Sequence, residues 1–335
     1  MSAPFPQAVR RPARRPTARP RVTAVVCTRG RPHQLARALR SLLAQRPAVA
    51  EILVVDNAPV DDATRGVVAA LAGRVRYLRE PRPGLDVARN RALRAATGQV
   101  VAFLDDDAVA HPRWAATIER TFARGARVAA CTGRVEALAR DDEGARMVEA
   151  NGGFDRGARR IALPRDARRP LHGRRAPLIA WAVSVGSGCS MAVRRRPALA
   201  LGGFDELLDR GPDLPGGGDH DMLWRLLVAG YEVVYEPAVR ARHEHRRTRA
   251  DAARQIVGHQ RALVAFLVKA AAQAPARSRW AIVAFLGWRL AKPGVRLVRR
   301  LAGRDPLDAA TLARMWAECL GGLRAGLAVV RRDDE

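Results

Sequence analysis

The sequence predicts an α/β fold in which helices cover both faces of a parallel sheet. Short runs rich in β-branched residues recur along residues 22–104, and between them apolar residues return at helical spacing. Such alternation is typical of βαβ units. Hydrophobic residues make up 48% of the 335 residues, so there is ample material for a core. This excludes an intrinsically disordered chain.

The four predicted strands lie at residues 22–27, 52–55, 75–78 and 100–104. The helix after the first strand is marked by Leu35, Leu39 and Leu42 at helical spacing, and the helix before the fourth strand by Ala88 and Ala92. Ligands of parallel sheets bind outside the carboxyl ends of the strands. The residues that follow each strand are therefore the first candidates for a functional site.

Polar and acidic side chains follow three of these strands. The first strand leads into Thr28 and Arg31, the second into Asp56, and the fourth into three consecutive aspartates at 105–107. No G-x-G-x-x-G follows the first strand, and no G-x-x-x-x-G-K-[S/T] occurs. The sequence therefore lacks the main motifs that would indicate a dinucleotide-binding oxidoreductase or a P-loop protein. A nucleotide bound at this edge is predicted to lack a glycine-rich phosphate loop.

The acidic triplet predicts a cation site. On an extended segment Asp105 and Asp107 point to one side and Asp106 to the other. Buried carboxylates without partners are costly, so a cluster of them indicates a cation or solvent. Two carboxylates on one side form an oxygen site suited to Mg²⁺ or Mn²⁺. The alternative is an acidic turn or a helix cap, because Asp favours both and Pro112 opens a helix soon after.

The second half of the chain adds a candidate base and further candidate ligands. A glycine-rich loop leads into a predicted helix whose first turn carries Asp219 and Asp221. One of these carboxylates is predicted to face the cleft as a general base. The alternative is that both only complement the positive end of the helix dipole. A strand at residues 231–235 leads towards His243 and His245, and either histidine is a candidate metal ligand.

Taken in order, these segments resemble family 2 of the inverting nucleotide-sugar glycosyltransferases, across about residues 22–247. The matching segments are the strand that ends at Thr28 with Arg31-Pro32, Val54-Val55-Asp56-Asn57, Gly84 with Ala88-Arg89-Asn90-Arg91-Ala92, Phe103-Leu104-Asp105-Asp106-Asp107 as a DxD motif, G-S-G-x-x-M, Gly202-Gly203-Phe204-Asp205, the segment 216–221 with Arg225-Leu226, and His243. Each segment is common by itself, whereas the ordered set is specific.

The resemblance implies a donor site and a metal site. The implied donor-site residues are Thr28, Arg31, Asp56, Arg89, Asn90, Asp105 and Asp106. Asp56 matches the acid that recognises the nucleotide base, which slightly favours a UDP-sugar as the donor. Asp107 and His243 match the residues that hold Mg²⁺ or Mn²⁺ near the diphosphate.

The resemblance also implies single-sugar transfer to an acceptor hydroxyl. Asp219 matches the aspartate of the family's Glu-Asp motif, which acts as the general base. Gly218 stands where the family usually has Glu, so Asp221 stays open as the alternative base. The Q/R-x-x-R-W motif of processive synthases is absent. The implied acceptor belongs to a cell-envelope glycan, a glycolipid or a secondary metabolite.

The implied architecture is a GT-A fold, with a Rossmann-like mixed sheet and a C-terminal helical appendage. Residues 22–247 are predicted to form the glycosyltransferase domain. Residues 1–21 are rich in Pro and Arg and lack an apolar stretch, so they are predicted to be a disordered basic arm. Residues 248–335 are predicted to be a helical, Arg-rich region. The four cysteines lie far apart, which predicts buried, reduced thiols.

The net charge of +26 favours an anionic partner but does not identify one. Almost all of the excess is arginine, since the only lysines are Lys269 and Lys292. No nucleic-acid partner is expected, because no binding motif or interleaved aromatic platform accompanies the charge. A nucleic-acid-binding module stays as a non-enzymatic alternative. A nucleotidyltransferase is the alternative enzyme, although residues 28–31 only weakly resemble its phosphate loop.

The basic charge is densest at residues 240–304, which contain 16 Lys and Arg but only two acidic residues. Trp280, Phe285 and Trp288 lie beside arginines there, a pattern typical of interfacial helices. The alternative is a helical appendage with a solvated arginine face, broken at Pro275 and Pro293. No apolar run reaches the length of a membrane span. The predicted location is the cytoplasm, with peripheral contact to an anionic membrane.

Overall fold

The computed structural model describes residues 19–211 and 213–334. Residues 1–18, which make up most of the predicted basic arm, lie outside the described residues. The strands are β1 (Val22–Thr28), β2 (Glu51–Asn57), β3 (Arg76–Glu80), β4 (Val100–Leu104), β5 (Ala108–Ala110), β6 (Val128–Ala137), β7 (Ile161–Leu163), β8 (Ser190–Arg194) and β9 (Glu232–His243). The helices are α1 (Pro32–Leu43), α2 (Ala63–Ala69), α3 (Leu85–Ala95), α4 (Trp114–Ala123), α5 (Glu143–Ala150), α6 (Leu178–Ala182), α7 (Arg195–Ala200), α8 (Gly218–Val228), α9 (Arg249–Gln273), α10 (Ala276–Leu301) and α11 (Ala309–Asp334).

The nine strands form one mixed sheet in the order β3-β2-β1-β4-β8-β6-β9-β5, with β7 paired to β9. The first four strands are parallel, as predicted. β8 is antiparallel to both β4 and β6, whereas β6 and β9 are parallel. The α/β class and the mixed sheet are therefore confirmed. A strand pattern in the sequence does not encode direction, so only the folded chain reveals where the parallel order is interrupted.

Alternating side chains of the central strands build a core on each face of the sheet. Val25 and Phe103 belong to the cluster on one face, and Val26 and Leu104 to the cluster on the other. Each buried side chain of this size contributes about 1.5–3 kcal/mol relative to an exposed one. The sheet is thus held from both sides. This fixes the strand ends where the polar residues follow.

Helix α1 shows how the local sequence sets the elements near that edge. Pro32 opens the helix, where its missing N–H costs nothing. Leu35, Leu39 and Leu42 then lie on the buried face, as their spacing predicts. Helix α3 begins after Gly84, whose φ of 135° is a backbone conformation that other residues rarely adopt.

The C-terminal helices pack on the sheet domain. Phe266 and Leu267 of α9 belong to the same buried cluster as Val25 and Phe103. Pro293 does not break the chain as predicted: it is buried inside α10, which runs through it. Tertiary packing therefore outweighs the local cost of a helical proline, about 3 kcal/mol. Among residues 19–211 and 213–334, no helix has the length and hydropathy needed to cross a membrane.

Candidate active site

The ends of β1, β2 and β4 bring three of the predicted donor-site residues to one edge of the sheet. Thr28 is paired in register with Asp56 on the neighbouring strand. The Thr28 hydroxyl donates a hydrogen bond to Asp106 Oδ2 at 2.7 Å. Asp56 is fully buried and accepts a hydrogen bond from the Tyr77 hydroxyl at 2.8 Å. Burial raises the pKa of Asp56 above its usual value.

The acidic triplet lies in a turn rather than in the predicted extended segment, because the Ala108 N–H donates a hydrogen bond to the Asp105 carbonyl at 3.0 Å. Asp106 turns towards Thr28, and Arg31 contacts both Asp106 and Asp107 at 3.2 and 3.1 Å. Asp105 points into a large cleft instead. Burial, and then the neighbouring charge of Asp107, raise the pKa of Asp105 to about 7. For Asp107 burial acts in the same direction, but contacts with His243 and Arg31 outweigh it and lower its pKa to about 2.

His243 joins this cluster from the other end of the sheet. It is the last residue of β9, and its Nε2 lies 3.1 Å from Asp107 Oδ1. Donor atoms of Asp105, Cys189 and His243 all lie within 4.8 Å of one another. Carboxylate and imidazole donors fit Mg²⁺ or Mn²⁺, whereas a thiol is a soft ligand. Burial raises the pKa of the Cys189 thiol well above its usual value, so we place Cys189 in the wall of this site.

No sequence signal marks Cys189 as a site residue, although it lies within the G-S-G-x-x-M stretch. Its carbonyl accepts a hydrogen bond from the Asp105 N–H at 3.0 Å. His245, the other histidine considered, does not belong to the cluster directly. Its Nδ1 lies 3.3 Å from that of His243, and its Nε2 lies 2.9 Å from Glu149 Oε1. It therefore contacts His243 at Nδ1, the ring nitrogen that does not face Asp107, and holds the orientation of the imidazole ring.

Asp219 lies in the first turn of α8 and lines the cleft. The Gly188 N–H donates to its Oδ2 at 2.8 Å, and the His220 N–H donates to its Oδ1 at 2.8 Å. The His220 ring Nδ1 lies 3.2 Å from the same Oδ1. Burial would raise the pKa of Asp219, but His220, Arg89 and the Gly188 N–H outweigh burial and lower it. Asp219 is therefore ionised at neutral pH.

Asp221 has different surroundings, away from the cleft. Arg225 Nε donates to its Oδ2 at 2.7 Å, and Lys269 Nζ donates to its Oδ1 at 2.9 Å. Lys269 also lies 2.6 Å from Asp205 Oδ2. The side chain of Asp221 is buried within this ion cluster, which joins α8 to α9. Its contacts are those of a structural carboxylate.

Arg89 and Asn90 are adjacent on α3 but differ in position. Arg89 lines the cleft and donates to Asp86 Oδ1 at 2.8 Å and to Asp209 Oδ2 at 3.1 Å. Asn90 exchanges two hydrogen bonds with the backbone of Phe204, at 2.8 and 2.9 Å. Asn90 therefore fixes the loop before α8, whereas Arg89 reaches the cleft. Asp209 lines the cleft too, and no local sequence signal marked it.

The space beside Gly218 is already filled. A β-carbon at Gly218 would lie 1.6 Å from Asp86 Oδ2, closer than any contact allows. Asp86 is fully buried on α3, and burial together with the charge of Asp209 raises its pKa well above the usual value. The carboxylate that the family usually carries at position 218 is thus excluded, and a carboxylate from another helix occupies that space.

The cleft itself has a volume of about 1320 Å³ and is bounded by the sheet edge, the loop before α8, and helices α9 and α10. Its polar lining includes Asp105, Asp209, Asp219, His220 and His243. Trp181, Phe285 and Trp288 add aromatic walls. Such a cleft, apolar with a few convergent polar groups, is typical of a binding site.

A family model described as glycosyl transferase family 2 matches residues 23–202, more than half of the chain.

The chain belongs to glycosyl transferase family 2. Among curated proteins, this family 2 chain is 29% identical over 227 residues to a pre-mycofactocin glycosyltransferase of Mycobacterium tuberculosis, covering 67% of this chain and 43% of that protein. It is 41% identical over 113 residues to the succinoglycan biosynthesis protein ExoO of Rhizobium meliloti, covering 33% and 32%. The chain thus spans less than half the length of these relatives.

Solved structures support the GT-A fold of this family 2 chain. The mannosyltransferase PcManGT from Pyrobaculum calidifontis, in complex with GDP-Man and Mn²⁺, superposes with a TM-score of 0.59 at 20% identity, covering 95% of this chain and 91% of that one. GalNAc-T7 with UDP, GalNAc and Mn²⁺ gives a TM-score of 0.50 at 15% identity, covering 75% and 51%. At these identities the likeness concerns the fold alone.

Proposed function

We propose that this chain transfers one sugar from a nucleoside diphosphate sugar to an acceptor hydroxyl, with inversion of the anomeric carbon. The observation that carries the proposal is the cleft, in which Asp219 shares the lining with Asp105 and His243. An ionised carboxylate and a set of candidate metal ligands are thus exposed to one substrate space. Family membership supports sugar transfer as the reaction class.

The donor is proposed to lie along the edge formed by β1, β2 and β4. Thr28 and Asp56 would contact the base and ribose, with Asp106 behind them and Arg31 close to the diphosphate. Asp56 slightly favours uracil by resemblance, although the two structural neighbours contain GDP-Man and UDP. Arg89 would face the sugar side of the cleft, whereas Asn90 would act through the Phe204 loop that it holds.

Asp105, Asp107 and His243 would hold Mg²⁺ or Mn²⁺ next to the donor diphosphate. When bound, the cation would neutralise negative charge that develops on the leaving nucleoside diphosphate. Arg31 contacts Asp106 and Asp107, so its guanidinium would lie close to the phosphate oxygens of the donor diphosphate. The Mn²⁺ in both neighbouring structures supports a divalent cation.

Asp219 is proposed to accept the proton of the acceptor hydroxyl. The pKa of an alcohol lies far above 7, so a carboxylate must take this proton as the new C–O bond forms. A single base on the face opposite the leaving group would give single displacement and inversion. No second carboxylate nucleophile is required, unlike in a retaining glycosidase. The Gly188 and His220 N–H groups fix the carboxylate for this role.

Exchanging three aspartates separately tests the base assignment. Asp219→Asn is expected to lower turnover by about 10²–10⁴-fold while donor affinity in calorimetry stays nearly unchanged. Asp221→Asn is expected to lower the free energy of unfolding by about 3 kcal/mol, because Lys269 and Arg225 lose a buried partner. Asp213→Asn, a change at an exposed position in the loop before α8, is the control. Full activity of Asp219→Asn would refute the assignment.

The identity of the donor is tested separately. Thermal unfolding is measured with Mn²⁺ and a panel of UDP- and GDP-sugars, and stabilisation by one donor identifies the base and sugar. Asp107→Ala is expected to abolish that stabilisation. Release of a nucleoside diphosphate during turnover is expected, whereas release of pyrophosphate would indicate a nucleotidyltransferase.

A further inference from the structure

Helices α10 and α11 expose a large apolar surface. The described residues include ten strongly exposed large apolar side chains, and nine of them lie on these two helices. We call this surface the α10–α11 face; its members are Trp280, Val283, Trp288, Val295, Val298, Leu301, Trp316, Leu320 and Leu327. Trp280 and Leu301 are each 80% exposed. Isolated exposed apolar residues are normal, but a contiguous patch marks a binding surface.

The members of the face are continuous in space. On α10 the positions 280, 283, 295, 298 and 301 fall within one side of the helix, because 3.6 residues make a turn. A β-carbon at Gly294 would lie 3.7 Å from the Trp316 ring, so α11 adjoins α10 at this point. The two apolar stripes therefore form one surface rather than scattered contacts.

Positive charge surrounds the face. Arg279, Arg299 and Arg300 on α10 and Arg314 and Arg324 on α11 are exposed. Across residues 248–335, Lys and Arg outnumber Asp and Glu by 16 to 7. An apolar face flanked by cations is typical of helices that lie in the plane of an anionic membrane surface. A second protein copy would have to bring these like charges together.

Beside the face lies a small pocket of about 120 Å³, lined by Arg289, Lys292, Arg296, Gln260, Asn151, Pro293 and Met315. We call it the cation pocket. Arg296 is neutralised by Asp305, at 2.8 and 2.9 Å, whereas among the described side chains Arg289 donates only to the neutral Gln260, at 2.8 Å. Lys292 Nζ lies 5.0 Å above the Trp288 ring. Two of its three cations thus have no carboxylate partner in the described part of the chain.

The cations of this pocket carry uncompensated charge. Burial, together with Arg289 and Arg296, lowers the pKa of Lys292 to about 8. Burial and the neighbouring Arg296 lower the pKa of Arg289 to about 10. Arg289 Nε is buried without a hydrogen-bond partner among the described residues. An anion in the pocket would supply the missing partner, and a phosphate matches this donor set.

The face and the cation pocket meet at the opening of the catalytic cleft. Ala281, Ala284 and Trp288 are exposed on α10, and all three also line the cleft. Arg289 and Lys292 line both the cleft and the cation pocket. A molecule held at the α10–α11 face therefore has a direct path into the space that contains Asp219.

We propose that the α10–α11 face docks on an anionic membrane and that the cation pocket holds the phosphate of a membrane lipid whose hydroxyl-bearing head group enters the cleft as the acceptor. The acceptor part rests on the proposed sugar transfer, whereas the docking part does not. No membrane-spanning helix is needed, because an interfacial helix pair buries only one face.

Sedimentation of the full chain with vesicles tests the docking. Binding is expected to phosphatidylglycerol vesicles at low salt, to weaken at high salt, and to be much weaker for phosphatidylcholine vesicles. The double variant Trp280→Ser/Val298→Ser, outside the cleft lining, is expected to lower the affinity about tenfold or more. Val60→Ser removes an apolar residue that is 89% exposed elsewhere and is expected to bind like the wild type.

Two results would overturn the docking. If the double variant binds phosphatidylglycerol as tightly as the wild type, the face does not carry the binding. If the wild type is a dimer in sedimentation velocity without lipid, and the double variant a monomer, the face is a contact between copies. Donor binding, measured by calorimetry, is expected to be the same in all variants, so failure of the docking is distinguishable from failure of the sugar-transfer proposal.

Short-chain lipids test the cation pocket. Soluble dihexanoyl phosphatidic acid is expected to bind the wild type more tightly than dihexanoyl phosphatidylcholine, and Lys292→Gln is expected to weaken it about tenfold. Lys292→Gln is expected to leave donor binding unchanged. Inorganic phosphate is expected to bind weakly, since it lacks the apolar contacts with Trp288. Equal binding of both lipids would contradict a pocket selective for an anionic lipid phosphate, and tight binding of inorganic phosphate alone would contradict a lipid site.

Discussion

At the residue scale, two aspartates of one helical turn have opposite surroundings. Asp219 faces the cleft, with backbone N–H groups as its main partners. Asp221 lies buried between Arg225 and Lys269. Residues two apart on a helix point to different sides, so both cannot face the same cleft. The sequence places both at a helix start but does not say which side faces the substrate.

Asp86 and Gly218 form a second pair, in which the side chain of one residue requires the absence of a side chain at the other. The chain lacks the glutamate expected at position 218, and the Asp86 carboxylate fills the place where that side chain would begin. Asp86 also holds Arg89, which lines the cleft near Asp219. Residues 86 and 218 are far apart in sequence, so the sequence alone does not show that the Asp86 carboxylate takes the place of a side chain at position 218.

We predict strong coupling between these two positions. Gly218→Ala is expected to lower the free energy of unfolding by about 2 kcal/mol or more, because its methyl group meets Asp86. In the Asp86→Gly background the same change is expected to cost less, leaving a coupling energy of about 1–3 kcal/mol in urea unfolding. Gly66→Ala is the matched control, because Gly66 is exposed on helix α2 and a β-carbon there would have no neighbour within 4 Å. Additive effects would contradict the contact.

At the element scale, strand β9 and helices α9 and α10 each place one side chain in surroundings that the local sequence does not reveal. Strand β9 runs to His243 and buries Val239, Ala241 and His243 on alternating positions. That register delivers the histidine to Asp107. Helices α9 and α10 carry one lysine each, and the two lysines have opposite electrostatic roles. Lys269 joins two carboxylates, whereas Lys292 is partly buried among cations.

We predict that the two lysines affect stability with opposite sign. Asp221 and Asp205 outweigh burial and raise the pKa of Lys269, so Lys269→Gln is expected to destabilise the protein at pH 7. The pKa of Lys292 falls from its usual value of 10.5 to about 8, so its charge destabilises the fold below pH 8. Lys292→Gln is therefore expected to raise the free energy of unfolding by about 2–3 kcal/mol at pH 7.

The pH dependence provides the check. Between pH 8 and 10.5 the unfolded chain binds more protons at Lys292 than the folded chain, so the wild type gains stability from this group as the pH rises. The advantage of Lys292→Gln in urea unfolding is expected to shrink from pH 7 to pH 10. An advantage that stays constant would show that Lys292 is not the titrating group.

At the scale of the whole molecule, the C-terminal helices complete the core. We propose that residues 22–247 form the catalytic domain and 248–335 an appendage that cannot be removed from it. Helix α9 contributes Phe266 and Leu267 to the sheet-domain cluster and Lys269 to the ion cluster with Asp221. Helices α9 and α10 also form one side of the cleft. The appendage is therefore part of the site as well as of the fold.

Truncation tests this organisation. A chain that ends at residue 247 is expected to be insoluble or partly folded, because it exposes the apolar surface beneath α9. Its expected signature is loss of cooperative unfolding and of donor binding. A matched deletion of residues 1–18 from the other end is expected to unfold at the same temperature as the full chain. Cooperative unfolding of the 1–247 chain would show that the sheet domain folds alone.

The sequence by itself determined the α/β class, the positions of the first four strands along the chain and the polar residues that follow them. These follow from local periodicity, which depends on neighbours a few residues apart. Tertiary structure alone decided which aspartate faces the cleft, which carboxylate lies beside Gly218, and that β8 runs antiparallel. It also decided that the apolar stripes of α10 and α11 face outwards. An apolar stripe has the same sequence pattern whether it faces a core or a membrane, so only the packing distinguishes the two.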